Sequence, residues 1–281
     1  MSTVRYRISH TTRITYDAAV SSSHNEVRMT PSTEPGQTAL ESRIRVKPMT
    51  WSHVYRDYWG THVTSIEALE PHRQLEVESN STVERTSRAD EAEPLSWDDY
   101  RLEALRDQYD EYLAPGPRTH LEPEVQREFR DAVAGMTPTE AVRAICRLVN
   151  ERLTYVSGST SVGDDAQTAW DARVGVCQDF THVTLAALRV VRIPARYVSG
   201  YLCPKEGMTV GETATGESHS WVEWWAGSWT GVDPTNLRPV DLDHVVVARG
   251  RDYDDVPPMK GVYQGRSSST LSVAVTFTRL V

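Results

Sequence analysis

The chain has 281 residues, with 30 Lys and Arg against 39 Asp and Glu, which gives a formal net charge of −9. This length is enough for one or two domains with a buried core, and the acidity gives no general attraction for nucleic-acid phosphates or anionic lipids. The mean hydropathy is −0.48, and no apolar run approaches the roughly 20 residues that cross a bilayer, so we expect neither nucleic-acid binding nor a membrane span.

The first part of the chain alternates apolar and polar residues, which is the two-residue period of β-strands. Val4, Tyr6 and Ile8, for example, alternate with polar or charged neighbours. Turn signals rich in proline and glycine separate these runs, and the N-terminus carries no apolar stretch of the secretory type. We therefore predict a β-rich N-terminal domain over residues 1–88, and we expect a cytoplasmic protein.

An acidic stretch with almost no apolar periodicity covers residues 88–99 and is typical of a solvated linker. Beyond it the apolar period becomes helical. Residues 137–140 read Thr-Pro-Thr-Glu, a capping box with proline at the first helical position, and a further helix is expected over 179–191. These elements belong to a second domain, which we predict over residues 89–281.

Strands follow the helices in the last part of the chain. The sequence predicts a strand over 193–198, a hairpin whose arms 219–225 and 229–233 flank the turn 226–228, and a last strand over 271–277. Helices come first and strands second, with no internal repeat. This order indicates the α+β class.

The chain has three cysteines, Cys146, Cys177 and Cys203, which are too few for a disulfide scaffold and lack the paired spacing of zinc sites. Cys177 lies where a turn opens a predicted helix, and the unpaired N–H groups at a helix start stabilise a thiolate. It is therefore a candidate nucleophile, and the alternative is a small buried hydrophobe. Cys146 fits the apolar face of a helix, whereas Cys203 begins a polar loop and is expected to be at least half-exposed.

A nucleophilic thiol needs a base, and the base needs a group that orients it. His219 and Asp233 lie on the two arms of the predicted hairpin, and they are directly opposed on one face if the hairpin is centred on residue 226. A slip by one residue would separate them, and each has an ordinary alternative, as an exposed strand histidine and as a turn former. A zinc site from Cys177, Cys203 and His219 would lack a fourth ligand, so no metal is expected.

Four sequence blocks follow one another through the second domain. They are 175–180 (Gly-Val-Cys-Gln-Asp-Phe), 193–201, 216–223 and 233–236. In this order they resemble the core of bacterial transglutaminase-like cysteine proteins, and segments 10–16, 57–60 and 250–256 are similar to further regions of that family. The resemblance covers nearly the whole chain. It implies a papain-like transglutaminase core, with helices packed on an antiparallel sheet, after the β-rich N-terminal domain.

The same resemblance implies a catalytic triad of Cys177, His219 and Asp233 and acyl transfer through a thioester, with no metal or other cofactor. Gln167 and Trp170 precede the nucleophile and are candidates for the second oxyanion donor, with the packing of a short helix as their alternative role. The candidate substrate-binding residues are Gln167, Trp170, Gln178, Ser218 and Trp221.

We therefore expect a cysteine-dependent acyl hydrolase or transferase that cleaves peptide or side-chain amide bonds of a peptide or protein substrate. One alternative is a protein-glutamine transglutaminase, in which a lysine amine replaces water and an isopeptide bond forms. Another is a non-catalytic peptide-binding module on the same fold, which is less favoured because all three triad candidates are present. The sequence leaves the oligomeric state open.

Overall fold

The computed structural model describes residues 2–87, 95–159, 163–205 and 207–281. These residues form helices and mostly antiparallel strands, which confirms the α+β class. The strands are β1 (Thr3–Val20), β2 (Ser22–Val27), β3 (Gln37–Lys47), β4 (Trp51–Arg56), β5 (His62–Ala68), β6 (His72–Thr86), β7 (Thr154–Tyr155), β8 (Val174–Gly175), β9 (Ala195–Leu202), β10 (Thr213–Trp225), β11 (Trp229–Asp233), β12 (Arg238–Pro239), β13 (His244–Gly250), β14 (Met259–Gln264) and β15 (Ser269–Arg279). The helices are α1 (Glu103–Gln108), α2 (Asp110–Leu113), α3 (Pro123–Ala132), α4 (Pro138–Arg152), α5 (Ala166–Ala172) and α6 (Cys177–Val190).

Two antiparallel sheets contain most of these strands. The larger sheet has the order β12-β11-β10-β15-β1-β6-β3, and β9 pairs with both β10 and β13 beside this path. The smaller sheet has the order β14-β2-β5-β4. Because β15 pairs with β1 and also with the start of β10, the larger sheet runs from the N-terminal strands into the second half of the chain.

The division of the chain at residues 88–99 stays a prediction, and residues 88–94 of that segment lie outside the described residues. Strand β14 pairs with β2, and strand β15 pairs with β1. The last segment of the chain therefore returns to the N-terminal strands. The apolar core is shared as well, because Tyr6 and Ile8 of β1 belong to the same buried cluster as Phe129 and Phe180. The N-terminal strands and the helices are therefore stabilised by common burial.

Helix α4 begins where the sequence predicts. The backbone N–H of Thr137 donates to the carboxylate of Glu140 at 2.8 Å, and the backbone N–H of Glu140 donates to the Thr137 hydroxyl oxygen at 3.4 Å. The reciprocal capping box is thereby confirmed. The buried face of the helix, which includes Val142, Ile145 and Val149, packs against α6. Burial of each such side chain contributes about 1.5–3 kcal/mol.

Helix α6 lies between α3, α4 and α5 on one side and β9 and β10 on the other. It ends in a Schellman motif, in which the N–H of Ile193 donates to the carbonyl of Leu188 at 2.9 Å and the N–H of Arg192 to the carbonyl of Arg189 at 3.0 Å. Arg192 has φ of 65°, and Pro194 then prevents further helix. Packing on both sides fixes the first residue of α6 relative to β10.

Strands β10 and β11 form the predicted hairpin with a different register. Val222 pairs with Val232, so the turn is centred on Gly227, whose φ is 90°, and not on residue 226. Asp233 falls in line with residue 221, two positions from His219. The prediction of direct opposition was wrong, but a displacement of two residues keeps both side chains on one face of the sheet because side chains alternate with a period of two.

Candidate active site

Cys177 is the first residue of α6, and the helix start is held by its neighbours. The Asp179 carboxylate accepts the backbone N–H of Val176 at 2.7 Å. A Cβ atom added to Gly175 would lie 2.7 Å from the Cβ of Asp179, so this close approach requires glycine. Cys177 is half-buried, whereas Cys146 and Cys203 are buried. The candidate nucleophile is therefore the least buried of the three cysteines and is fixed at a helix N-terminus.

Two residues of β10 influence the pKa of the Cys177 thiol. His219 acts through side-chain hydrogen bonding and its charge, and Ser220 acts through hydrogen bonding of its side chain and backbone. Burial works to raise the pKa of the thiol, but the hydrogen bond and charge of His219, together with the Ser220 donors, outweigh burial and lower the pKa below its ordinary value of 9.0. The thiolate, which is the reactive form, is thereby favoured.

The imidazole of His219 bridges this thiol and a buried carboxylate. Its Nε2 lies 2.8 Å from Oδ2 of Asp233, which leaves Nδ1 as the ring nitrogen for the sulfur. Burial works to lower the pKa of His219, but hydrogen bonds with Asp233 and Cys177 and the charges of both raise it to about 10. A lowered thiol pKa beside a raised imidazole pKa favours a thiolate–imidazolium ion pair.

Asp233 is fully buried and is held by donors on both carboxylate oxygens. Oδ1 accepts the backbone N–H groups of Thr235 at 3.0 Å and Asn236 at 3.1 Å. Oδ2 accepts the Asn236 side-chain amide at 2.7 Å besides His219, and Nε2 of His244 lies 3.3 Å away. Burial works to raise the pKa of Asp233, but the hydrogen bonds from His219 and His244, the charge of His219 and the Asn236 amide hold it well below its usual range. The carboxylate stays ionised and orients His219.

Three residues of this arrangement were missed in the sequence: Ser220, Asn236 and His244. Ser220 follows His219 on β10, and its hydroxyl lies 3.1 Å from the Thr181 hydroxyl of α6. Its position beside Cys177 depends on how α6 packs on β10, which the sequence alone does not give. Asn236 follows Asp233 within one turn, the range over which aspartate bonds to its own backbone. His244 gave no signal, because β13 joins the sheet only through its pairing with β9.

His219, Asp233 and His244 are also metal-ligating residue types, and one ligand atom from each lies within 4.8 Å of the others. The same atoms are already in contact with one another, at 2.8 Å for His219 with Asp233 and 3.3 Å for His244 with Asp233. Hydrogen bonding accounts for the closeness of these three side chains. The zinc ligands considered from the sequence included Cys203 and are a different group of residues.

Two of the predicted substrate-binding residues were wrong. Trp221 is 0% exposed and packs against the rings of His219 and His244. Trp170 is 1% exposed and packs against Phe129. An indole with no exposed surface cannot contact a substrate, so both rings serve to pack the core around the site.

The other three predicted substrate-binding residues differ in their surroundings. Gln167 is engaged at both ends of its amide, since it accepts the backbone N–H of Glu122 at 2.8 Å and donates to Asp171 at 3.1 Å. The first bond joins α5 to the start of α3 and the second lies within α5, so Gln167 is not directed at an oxyanion beside Cys177. Gln178 is half-buried in the first turn of α6, and Ser218 is exposed on β10. Their roles in substrate binding stay predictions.

The remaining cysteines are both buried. Cys203 was expected to be at least half-exposed, but it is 2% exposed and its sulfur lies 3.2 Å from that of Met208. Burial raises the pKa of Cys203, and burial raises the pKa of Cys146 to about 12. Both thiols are therefore protonated at neutral pH, in contrast to Cys177.

Within the described residues, no helix combines the length and the apolar character that a membrane span requires.

Two family models match the chain. The model described as the bacterial transglutaminase-like N-terminal region matches residues 6–84, and the model described as the transglutaminase-like superfamily matches residues 127–234. The second match contains Cys177, His219 and Asp233.

Whole-length relatives are found in mycobacteria. The chain is 40% identical to the uncharacterized protein ML0607 of Mycobacterium leprae, over 98% of this chain and 99% of that protein. It is 32% identical to the uncharacterized protein Rv2569c of Mycobacterium tuberculosis, over 97% of this chain and 92% of that protein. Among solved structures, a candidate cysteine protease from Cytophaga hutchinsonii has the same fold, with a TM-score of 0.80 and 22% identity over 100% of this chain and 92% of that one.

Proposed function

Because this chain belongs to the transglutaminase-like superfamily, we propose that it is a cysteine-dependent acyl hydrolase or transferase that breaks peptide or side-chain amide bonds through a thioester on Cys177. The observation that carries the proposal is the position of His219 between the half-buried Cys177 thiol and the buried Asp233 carboxylate. The three unpaired thiols fit a reducing compartment, so a cytoplasmic location is part of the proposal.

The first half of the reaction forms the thioester. The Cys177 thiolate attacks the amide carbonyl carbon, a C–S bond forms, and the π electrons move to the carbonyl oxygen. The N–H of Cys177 is one of the donors that a helix start leaves without an intrahelical partner, and one such donor to the oxyanion is worth roughly 3 kcal/mol. Collapse of the intermediate breaks the C–N bond, and His219 gives its proton to the departing amine.

The second half releases the acyl group. Neutral His219 takes a proton from water, the resulting hydroxide equivalent attacks the thioester carbon, and the C–S bond breaks to return the thiolate and the imidazolium. The products are a carboxylic acid and the free enzyme. Throughout, Asp233 keeps the His219 ring oriented and stabilises its positive form. A primary amine in place of water would give a new amide, which is the transglutaminase alternative.

The test is to incubate the protein with a pool of cellular peptides, quench with acid and search the Cys177 peptide by mass spectrometry for an acyl adduct. We expect an adduct that hydroxylamine removes and that the Cys177→Ala variant lacks. A parallel sample with a fluorescent primary amine separates water from amine as the acceptor. Absence of any adduct, together with alkylation of Cys177 no faster than that of Cys146 and Cys203, would contradict the proposal.

A further inference from the structure

The site contains a second histidine, His244, which no sequence block points to. It is the first residue of β13 and is fully buried. Both of its ring nitrogens face carboxylates: Nε2 lies 3.3 Å from Oδ2 of Asp233, and Nδ1 lies 2.8 Å from Oδ1 of Asp243. The ring packs edge-to-face on Trp221, with ring centroids 5.2 Å apart. A buried imidazole with this set of contacts is fixed in place.

The contact with Asp233 identifies a donor. Asp233 is ionised, so its Oδ2 can only accept hydrogen bonds. The Nε2 that faces it must therefore carry a proton, because a bare nitrogen lone pair at 3.3 Å from a carboxylate oxygen is repulsive. This Oδ2 is the oxygen that holds Nε2 of His219 at 2.8 Å. His244 and His219 thus donate to the same atom from two directions.

The chain of contacts continues beyond His244. Asp243 forms an ion pair with Arg238 at 2.7 Å, and the backbone N–H of Asp241 lies 3.3 Å from Nδ1 of His244. A row of polar contacts therefore runs from the partly exposed Arg238 through Asp243 and His244 to Asp233. Such a network holds each of its members in place through its neighbours.

We propose that His244 is a positioning residue of the active site, which holds the Asp233 carboxylate against His219 through its Nε2–H and so sets the strength of the thiolate–imidazolium pair. The inference rests on the proposed function, because it assumes that Cys177 and His219 are the reacting groups. It goes beyond a triad, since it extends the catalytic arrangement to a fourth side chain from a different strand.

Removal of the His244 donor has two consequences of different kind. The carboxylate loses one constraint on its orientation, which lowers kcat. With one donor fewer, more of the negative charge of Asp233 acts on His219. Asp233 then stabilises the His219 imidazolium more strongly, and the pKa of His219 rises. The charged groups around His244 are Asp233, Asp243 and His219, with Arg238 and Arg85 beyond Asp243. All of these groups remain in the two variants described next, so they affect the pH–activity profiles of both variants equally.

The experiment compares His244→Gln, whose amide can still donate to Asp233, with His244→Leu, which cannot. For His244→Leu we expect kcat to fall about tenfold to a hundredfold, the rate equivalent of one hydrogen bond to a charged group, and the alkaline limb of the activity profile to move to higher pH. For His244→Gln we expect recovery of most of kcat and of the wild-type limb. Equal losses in both variants with unchanged pH profiles would overturn the proposal.

A measurement on the wild-type protein keeps the test independent of folding of the variants. ¹⁵N-histidine NMR should show a proton on Nε2 of His244, and its resonance should move when Cys177 is blocked with a small disulfide-forming reagent. A bare Nε2 would overturn the proposal. The two proposals also fail separately: if wild-type Cys177 has an ordinary pKa, the proposed function fails, whereas an anomalous Cys177 with no response in the His244 variants refutes only the role of His244.

Discussion

Strand β10 carries two buried charged clusters on the same face, and they differ in the partners of their charged groups. His219 meets Asp233 and the Cys177 thiol, while Glu223, four residues further along, meets Arg196 at 2.7 Å and Arg249 at 2.8 Å. Arg249 is bonded in turn to Glu34 of the N-terminal region. We call the second group, Glu34, Arg196, Glu223 and Arg249, the ionic cluster.

In the ionic cluster every charge has a fixed partner of opposite sign. Two carboxylates face two guanidinium groups, and Arg196 also stacks on the ring of Trp229, with its guanidinium carbon 4.0 Å from the ring centroid. At the candidate active site, by contrast, the second partner of His219 is the thiol of the half-buried Cys177. Complete pairing of buried charges gives structure, whereas a buried charge pair that ends at one half-buried nucleophile gives reactivity. Mutation of the candidate active site should therefore lower activity, whereas mutation of the ionic cluster should lower stability.

The largest effect is expected from Cys177→Ala. Because the thioester forms on this sulfur, amide turnover should fall by about a millionfold, which is the scale seen when a nucleophile is removed from a triad. The melting temperature should stay nearly unchanged, because the thiol contributes little to the apolar core. Steady-state turnover and thermal unfolding of the same preparation measure both quantities. Retained turnover in the pure variant would place the nucleophile elsewhere.

The next largest effect is expected from His219→Ala. Loss of the proton carrier should lower kcat by several orders of magnitude. The melting temperature should change far less, because Asp233 keeps its hydrogen bonds with Thr235, Asn236 and His244. His219→Gln serves as the matched control, because it keeps a side chain that fills the space and bonds to Asp233 but cannot carry the proton. A variant that unfolds readily while its folded fraction remains active would contradict the assigned role.

Glu223→Gln should have the opposite profile. It leaves Arg196 buried without a charged partner, and breaking a buried ion pair in this way costs about 3–5 kcal/mol of the free energy of unfolding. Turnover per folded molecule should stay within about twofold, because the ionic cluster does not contact Cys177. Denaturant unfolding and active-site titration measure the two effects. A large loss of turnover with normal stability would erase the distinction between the clusters.

A smaller effect is expected from acid on the ionic cluster. Burial works to raise the pKa of Glu223, but Arg249 and Arg196 outweigh it and lower the pKa from 4.5 to about 2. Since the folded pKa lies below the unfolded one, the stabilisation is present above pH 4.5 and is lost as the pH falls towards 2. The difference in unfolding free energy between wild type and Glu223→Gln should shrink by about 3 kcal/mol over this interval. A constant difference would show that Glu223 is not ionised in the folded state.

The same two clusters show what the sequence can and cannot reveal. Cys177 could be assigned because a helix start has predictable electrostatics, and the common face of His219 and Asp233 because a hairpin has few registers. The register itself depended on the turn, where Gly227 at positive φ shifts the centre by one residue.

Other features could not be read from the chain. His244 reaches the site across β9, and β13 has a register irregularity between Val246 and Ala248, so no local pattern places it. The burial of Trp170 and Trp221 is likewise set by the packing of distant elements, since an aromatic residue near a nucleophile suits a core and a cleft equally well.

An ion pair between Cys177 and His219 makes the reactivity of the thiol depend on pH through His219, and the rate of Cys177 alkylation measures this dependence. The rate with iodoacetamide, followed by mass spectrometry of the Cys177 peptide, should reach half its plateau well below pH 9.0, the ordinary pKa of the thiol. In His219→Ala the midpoint should rise to that value or above it, because burial then acts without an opposing charge. Identical midpoints in the two proteins would contradict the account.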